Sequence, residues 1–197
     1  ARPPTRADIR STFAGLRPLV HPEHDADRRT TSALSRDHVV LVADSGLITL
    51  AGGKWTTYRR MGEDAIDHAA EVAGLPASAS PTRTLKLHGA PEFPGSAPYG
   101  TDAPAIAALP GADRPLHPAL PYSEAMVRYA IQHEAARSID DILARRTRAL
   151  FLDAAAATAC IERVGQIVAE ERGLDGTQAA ELIATAHRQA QRFLAGG

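Results

Sequence analysis

An α+β chain is expected from three features of the sequence. Two short apolar runs lie at residues 39–42 and 46–51, and one amphipathic helix follows them through a pair of glycines. From Ser123 onward, apolar residues recur at the spacing of helices. The strands and the single helix fall in residues 1–75 and the helical bundle in residues 121–197. A Pro/Gly-rich linker over residues 76–120 is expected between them.

In chain order, residues 11–20 and 39–42 read as strands, with a charged, solvated loop over 21–29. The run GLITLA, residues 46–51, is the next strand, and Gly52-Gly53 then lets the backbone turn sharply. The hydroxyls of Thr56 and Thr57 are placed to cap a helix. Tyr58, Met61, Ala65, Ala69 and Val72 form its apolar stripe, and Gly74 before Pro76 stops it. A short extended piece is expected at 83–88 and a turn of helix at 103–109.

The bundle opens with a stripe of Met126, Val127, Ala130 and Ile131. Ser138 and Asp141 have the spacing of a capping box ahead of Ile139, Ile142 and Leu143. Asp153 precedes an Ala-rich helix carrying Ile161, Val164, Ile167 and Val168, which Gly173 ends. A last helix runs from about Thr177 through Leu182, Ile183 and Ala186 to Phe193. Short connections of this kind suit a small bundle.

Composition narrows the chemistry. The 197 residues carry a formal net charge of −1, so no general basic field points to nucleic acid. Cys160 is the only cysteine, sits in a helical apolar pattern and is expected to be a buried small hydrophobe. The histidines show no metal-ligand spacing, and His21 and His24 read as loop residues, so no metal is expected. His38 opens a strand and is read as structural, leaving the general base unassigned. Arg145-Arg146-Thr147-Arg148 is expected to pair with Glu134, Asp140 and Asp141 within the bundle.

The turn Gly52-Gly53-Lys54-Trp55-Thr56-Thr57 carries the functional argument. A helix start presents unpaired N–H groups and a partial positive charge, here with Lys54 beside it. Such a site meets negative charge, although a turn required only for packing has the same spacing. Arg17 stands in the otherwise apolar run Phe13-Ala14-Gly15-Leu16-Arg17-Pro18-Leu19. Its guanidinium either finds an anion or points to water from an edge strand.

The run GGKWTTYRRMGEDAID, residues 52–67, resembles the carboxy-terminal motif of the FAD-dependent glycerol-3-phosphate dehydrogenase and alpha-glycerophosphate oxidase family. The run at 13–19 and Ser35-Arg36-Asp37-His38 agree with that family. So does the stretch from His117-Pro118 through Glu134 to Asp140-Asp141-Ile142-Leu143-Ala144-Arg145-Arg146-Thr147-Arg148. The resemblance implies that residues 1–75 are the end of an FAD- and substrate-binding domain and that 121–197 form a helical cap.

The same resemblance assigns Gly52, Gly53, Lys54, Trp55, Thr56 and Thr57 to the flavin ring. Arg17 would contact the carbinol oxygen or anchor the substrate, Arg36 would bind its phosphate, and Lys54 would lie near phosphate or flavin. The implied reaction is oxidation of sn-glycerol 3-phosphate to dihydroxyacetone phosphate, with a quinone taking the electrons. The oxygen-using oxidases share these motifs and stay an alternative, as does a purely structural helical module. A homodimer, cytoplasmic and peripherally attached to the inner membrane, is implied for the whole enzyme.

The sequence contains no G-x-G-x-x-G fingerprint for a dinucleotide pyrophosphate. The chain is therefore expected to be a carboxy-terminal fragment lacking the amino-terminal FAD-binding half. Alone, it is expected neither to bind FAD nor to be active.

Overall fold

A computed structural model describes residues 2–16, 37–90 and 99–195. It resolves into two compact units, one of Gly15–Leu87 and one of Ala1–Ala14 with His88–Gly197. Strands occur in the first and the second is helical, so the architecture is α+β with a helical carboxy-terminal part.

In the first unit, β1 (His38–Val42) and β2 (Ile48–Gly52) pair antiparallel, with His38 opposite Gly52 and Val42 opposite Ile48. Gly46, at φ +83, supplies the left-handed residue of the connecting turn. Helix α1 (Tyr58–Val72) follows and packs on the two strands. A Cβ on Gly53 would meet Met61 and one on Gly46 would meet Val72, so these two members of the expected stripe lie toward the strands, while Tyr58 is 47% exposed and stacks on Trp55. No described residue of this unit is buried, however, and Leu41, Ile66, Leu85 and Leu87 are each more than half exposed. Two strands and one helix bury too little to make a core.

Three local expectations are corrected here. Of the strand expected over 11–20, residues 11–16 form none and 17–20 lie outside the described residues: Ser11 donates to the Leu150 carbonyl and Thr12 to that of Phe193, within the helical unit. Pro81–Arg83 is a 3-10 turn rather than the start of an extended piece, since Pro81 presets the turn and Ser80 caps it. Thr57 closes the turn before α1 instead of capping the helix: its hydroxyl donates to the Lys54 carbonyl at 2.9 Å.

The helical unit contains α2 (Ala103–Ala107), α3 (Glu124–His133), a π-helical turn (Asp141–Arg146), α4 (Ala149–Leu152) and α5 (Ala154–Ala159). It ends with α6 (Ile161–Arg172) and α7 (Gly176–Ala190). Ile139, Ile142, Leu143, Val127, Ile161, Val164, Ile167 and Val168 make its dry core. Ile106 and Leu120 are also buried, so residues 99–120 contribute to this unit.

The local stop and start signals operate as read. Asp141 accepts from the Arg137 and Ser138 N–H groups, while the Ser138 hydroxyl accepts from Asp141 N–H at 3.0 Å. Asp153 caps α5 through the Ala156 N–H at 3.0 Å, and Gly173 ends α6 at φ +63. Between helices, Arg128 pairs α3 with Glu170 and Glu171 of α6. Among the described residues no helix is long and apolar enough to cross a membrane.

Candidate functional site

Strand β2 ends in Gly52 at φ +77, and Gly53 follows at φ +79. Two consecutive left-handed residues are tolerated without strain only as glycines. A Cβ on Gly53 would lie 2.6 Å from Met61 Sδ and 3.2 Å from His38 Cβ. Packing against α1 therefore accounts for Gly53. Gly52 is exposed.

Lys54 returns to extended backbone, and Trp55–Thr57 form one 3-10 turn leading into α1. Thr57 N–H donates to the Lys54 carbonyl at 2.9 Å and Lys54 N–H to the Thr57 hydroxyl at 3.3 Å, so the N–H groups that precede any intrahelical acceptor are those of Trp55 and Thr56. Lys54, Trp55 and Thr56 are exposed around them. Trp55 is 87% exposed and stacks on Tyr58, with centroids 5.6 Å apart and planes inclined by 26°. An open flat ring beside a helix start was not foreseen in the sequence, where Trp55 reads only as part of a motif.

The charges of the first turns of α1 are arranged asymmetrically. Arg59 pairs with Glu63 at 3.0 Å, and Arg60 with Glu63 at 3.3 Å and Asp64 at 2.9 Å. The hydrogen bond from Arg59 holds the Glu63 carboxyl below its ordinary range. Lys54 pairs with no carboxylate among the described residues. Among the described residues, the turn thus keeps Lys54 without a carboxylate partner at the positive end of a 15-residue helix.

His38 Nε2 lies 2.7 Å from Asp64 Oδ2, fastening β1 to α1. That engagement agrees with a structural role. Beside it on α1, a cavity of about 480 Å³ is lined by Tyr58, Arg59, Ile66, Ser80, Thr82 and Leu85, among others. Arg17 and Arg36 lie outside the described residues, so their placement relative to Lys54 is not described.

In the helical unit the basic run is absorbed internally, with Asp140 and Asp141 as the expected counterions but with the Glu134 backbone carbonyl in place of its carboxylate. Arg145 pairs with Asp140 and with Asp141, Arg146 Nε donates to the Glu134 carbonyl at 3.1 Å, and the Arg148 guanidinium sits 5.7 Å from the Phe151 ring centre. Cys160 is buried and its thiol is pushed up to about 11 by that burial. Among the described residues no group of His, Cys, Asp and Glu is arranged to hold a metal.

As a ligand surface, the turn offers the N–H groups of Trp55 and Thr56, the ammonium of Lys54, which has no carboxylate partner among the described residues, and an exposed aromatic stack. These suit the electron-accepting edge of a flavin ring, where negative charge develops on reduction. They do not suit the pyrophosphate of a dinucleotide, for which the chain has no glycine-rich cradle.

Residues 95–179 match the family model of the C-terminal domain of alpha-glycerophosphate oxidase. Across 85% of its length the chain is 36% identical to a probable mitochondrial glycerol-3-phosphate dehydrogenase of Caenorhabditis elegans, covering 27% of that protein. It is 39% identical over 72% of its length to glycerol-3-phosphate dehydrogenase 1 of Mycobacterium tuberculosis, covering 30% of it. With the mitochondrial glycerol-3-phosphate dehydrogenase of Homo sapiens it shares 33% identity over 93% of its length, or 28% of that enzyme. The chain spans less than a third of the length of each of these three relatives. On these matches the chain belongs, as a carboxy-terminal part, to the glycerol-3-phosphate dehydrogenase and alpha-glycerophosphate oxidase family.

Proposed function

We propose that this chain supplies one wall of the flavin and substrate pocket in an FAD-dependent glycerol-3-phosphate dehydrogenase. The observation that carries the proposal is the exposed head of α1, with Lys54 unpaired among the described residues and the Trp55–Tyr58 stack beside it. The unit of Gly15–Leu87 forms the pocket wall, and Ala1–Ala14 with His88–Gly197 form the helical cap. The chain works together with a flavin-binding portion and is inactive alone.

Bound FAD would supply the hydride acceptor for oxidation of sn-glycerol 3-phosphate at C2, with a quinone as the final electron acceptor. The chain's own residues do the holding. Gly52, Gly53, Lys54, Trp55, Thr56 and Thr57 form the surface that meets the ring: Trp55 and Thr56 turn their N–H groups to it and Lys54 adds positive charge, while the N–H groups of Lys54 and Thr57 are held within the turn. Arg36 grips the phosphate through a two-pronged guanidinium contact, and Lys54 adds charge nearby. Arg17 orients the carbinol oxygen so that C2 faces the ring. Orientation of this kind converts binding energy into rate.

The test has two arms. Mixed with FAD alone, the chain is expected to give no yellow complex and no quenching of flavin fluorescence; tight binding overturns the claim that the cradle lies elsewhere. In a protein that also carries the flavin-binding portion, Arg36→Ala is expected to raise KM and Arg17→Ala to lower kcat/KM. Unchanged kinetics in both variants overturn the residue roles. The match to an oxidase domain favours one second reading, in which oxygen replaces the quinone. Hydrogen peroxide formed in step with substrate consumption identifies that case.

A further inference from the structure

Helix α1 has two lined faces. One lies toward the strands through Met61 and Val72. On the other, Tyr58, Gly62 and Ile66 stand four residues apart and share a stripe. That stripe is one wall of the cavity of about 480 Å³, and Leu85 and Leu87 belong to the second wall. Both walls are held in place. Arg59 donates to the Thr82 hydroxyl at 3.1 Å while bridging to Glu63 at 3.0 Å, and Ser80 caps the turn Pro81–Arg83.

The groove between these walls is apolar yet faces water. Ile66, Leu85 and Leu87 are each more than half exposed, and a Cβ on Gly62 would meet nothing within 4 Å. Apolar side chains gathered on ordered walls and left in solvent mark an interaction surface. The unit offers no cover of its own, since none of its described residues is buried, whereas the helical unit seals a full core.

The rim shows what kind of partner fits. Ser80 and Thr82 border the apolar centre with hydroxyls, and the Arg59–Glu63 pair cancels its own charge, which is the composition of a protein interface and not of an ion site. Each relative compared above has more than two thirds of its length beyond the part that this chain covers. Tyr58 lines the groove and stacks on Trp55, so the groove continues into the turn assigned to the flavin ring.

We infer that the groove of Tyr58, Ile66, Leu85 and Leu87 seats an apolar ridge, aliphatic or aromatic, of the flavin-binding portion. Closing the groove supplies the core that this unit lacks, next to the turn Gly52–Thr57. The inference rests on the reading that the chain works together with such a portion, and adds the surface where the two meet.

Thiol labelling at Ile66→Cys and Leu85→Cys tests it, read by peptide mass spectrometry in this chain and in an enzyme that also carries the flavin-binding portion. The chain's own Cys160 is buried. In the chain alone both positions are expected to react nearly as fast as in urea, and in the enzyme about 100-fold more slowly or beyond. Equal rates in chain and enzyme, whether fast or slow, overturn the docking. Fast labelling of the enzyme that slows only when phosphatidylglycerol vesicles are added assigns the groove to a lipid surface and overturns it too. So does labelling of the chain that slows as its concentration rises, which assigns the groove to a second copy. Solvent access is read without turnover, so the result stands apart from the kinetic test of the pocket wall. Unchanged kinetics in the Arg17 and Arg36 variants beside the expected labelling contrast overturn those roles and keep the docking.

Discussion

Arg163 of α6 holds Glu124 of α3 with two parallel bonds, Nε to Oε1 at 2.7 Å and Nη2 to Oε2 at 2.8 Å. Glu124 is only 6% exposed, and Arg114 reaches the same carboxylate at 3.4 Å. Gly111 makes room for this arrangement, since a Cβ there would lie 2.6 Å from the Glu124 Cβ. The pair therefore fixes both the α3–α6 contact and the loop ahead of α3.

Removing the larger partner exposes how much the pair contributes. Arg163→Ala leaves a nearly buried carboxylate with the half-exposed Arg114 at 3.4 Å as its remaining ion-pair partner among the described residues, at a cost of about 2–3 kcal/mol. That is a fall of roughly 4–12 °C in the melting temperature of the helical unit. The Arg163 hydrogen bond holds the Glu124 carboxyl below its ordinary range. Its stabilisation is therefore complete above the unfolded carboxylate value and lost as pH falls through the lower folded value. Thermal scans of wild type and Glu124→Gln are expected to converge as the pH drops below about 4. A gap that stays constant or widens on acidification would contradict the assignment.

Glu134 has the opposite sign. Burial raises its carboxyl above the ordinary value, with Asp102 adding to the shift and Arg146 and His133 opposing it. Its Oε2 is buried without a hydrogen-bond partner among the described residues. The folded state therefore holds the proton more tightly than the unfolded state does. Stability from this group is present below the unfolded value and declines as pH rises through the folded one. Glu134→Gln removes the ionisation while keeping the shape. Urea midpoints for the variant minus wild type are expected to grow from pH 4 to pH 7; a flat difference would remove Glu134 from the account.

Helices α6 and α7 approach closely at Gly165. A Cβ there would stand 2.4 Å from Ile183 Cγ1 and 3.3 Å from Ile139 Cδ1. Helix propensity alone favours alanine by about 1 kcal/mol at this interior position. Overpacking costs about 1–3 kcal/mol, so Gly165→Ala is expected to destabilise despite propensity. Ile183→Ala frees the space. Its cost is therefore expected to be smaller in the Gly165→Ala background than beside Gly165, a non-additivity measurable by chemical denaturation.

What could be read ahead of the structure was largely local. The Ser138–Asp141 box, the Asp153 cap and the Gly173 stop each depend on residues three or four apart, and all three form. The pairing of Arg145 with Asp140 and Asp141 was equally local. What escaped depended on topology. Residues 11–16 have a strand-like pattern, yet the partners of Ser11 and Thr12 are helix ends more than a hundred residues on. Ile106 and Leu120 stand among prolines and glycines that signal turns, while their burial comes from packing in the helical unit. In the candidate site, the double glycine and free Lys54 were legible as turn chemistry. The Trp55–Tyr58 stack was not, because an i, i+3 aromatic pair at a helix start reads as core until its exposure is known.

The turn that presents the site should be the most demanding position of the first unit. Gly53→Ala adds a methyl group against Met61 and His38 and forces a side chain into φ +79. The backbone part costs about 1–2 kcal/mol and the contact part a similar amount. Met61→Ala removes the first contact but leaves the dihedral strain. The double variant is therefore expected to recover part of the loss, and Gly53→Ala with Met61 intact the least. Since His38 also bridges to Asp64, displacement of β1 is expected to loosen α1 at its head. Amide exchange at Trp55, Thr56 and Thr57, followed in the flavin-containing enzyme, reads that loosening directly. Faster exchange there, accompanied by loss of flavin, ties the geometry of the double glycine to ligand binding. Full flavin retention with an unprotected helix head would separate the two and leave Gly53 as a packing residue alone.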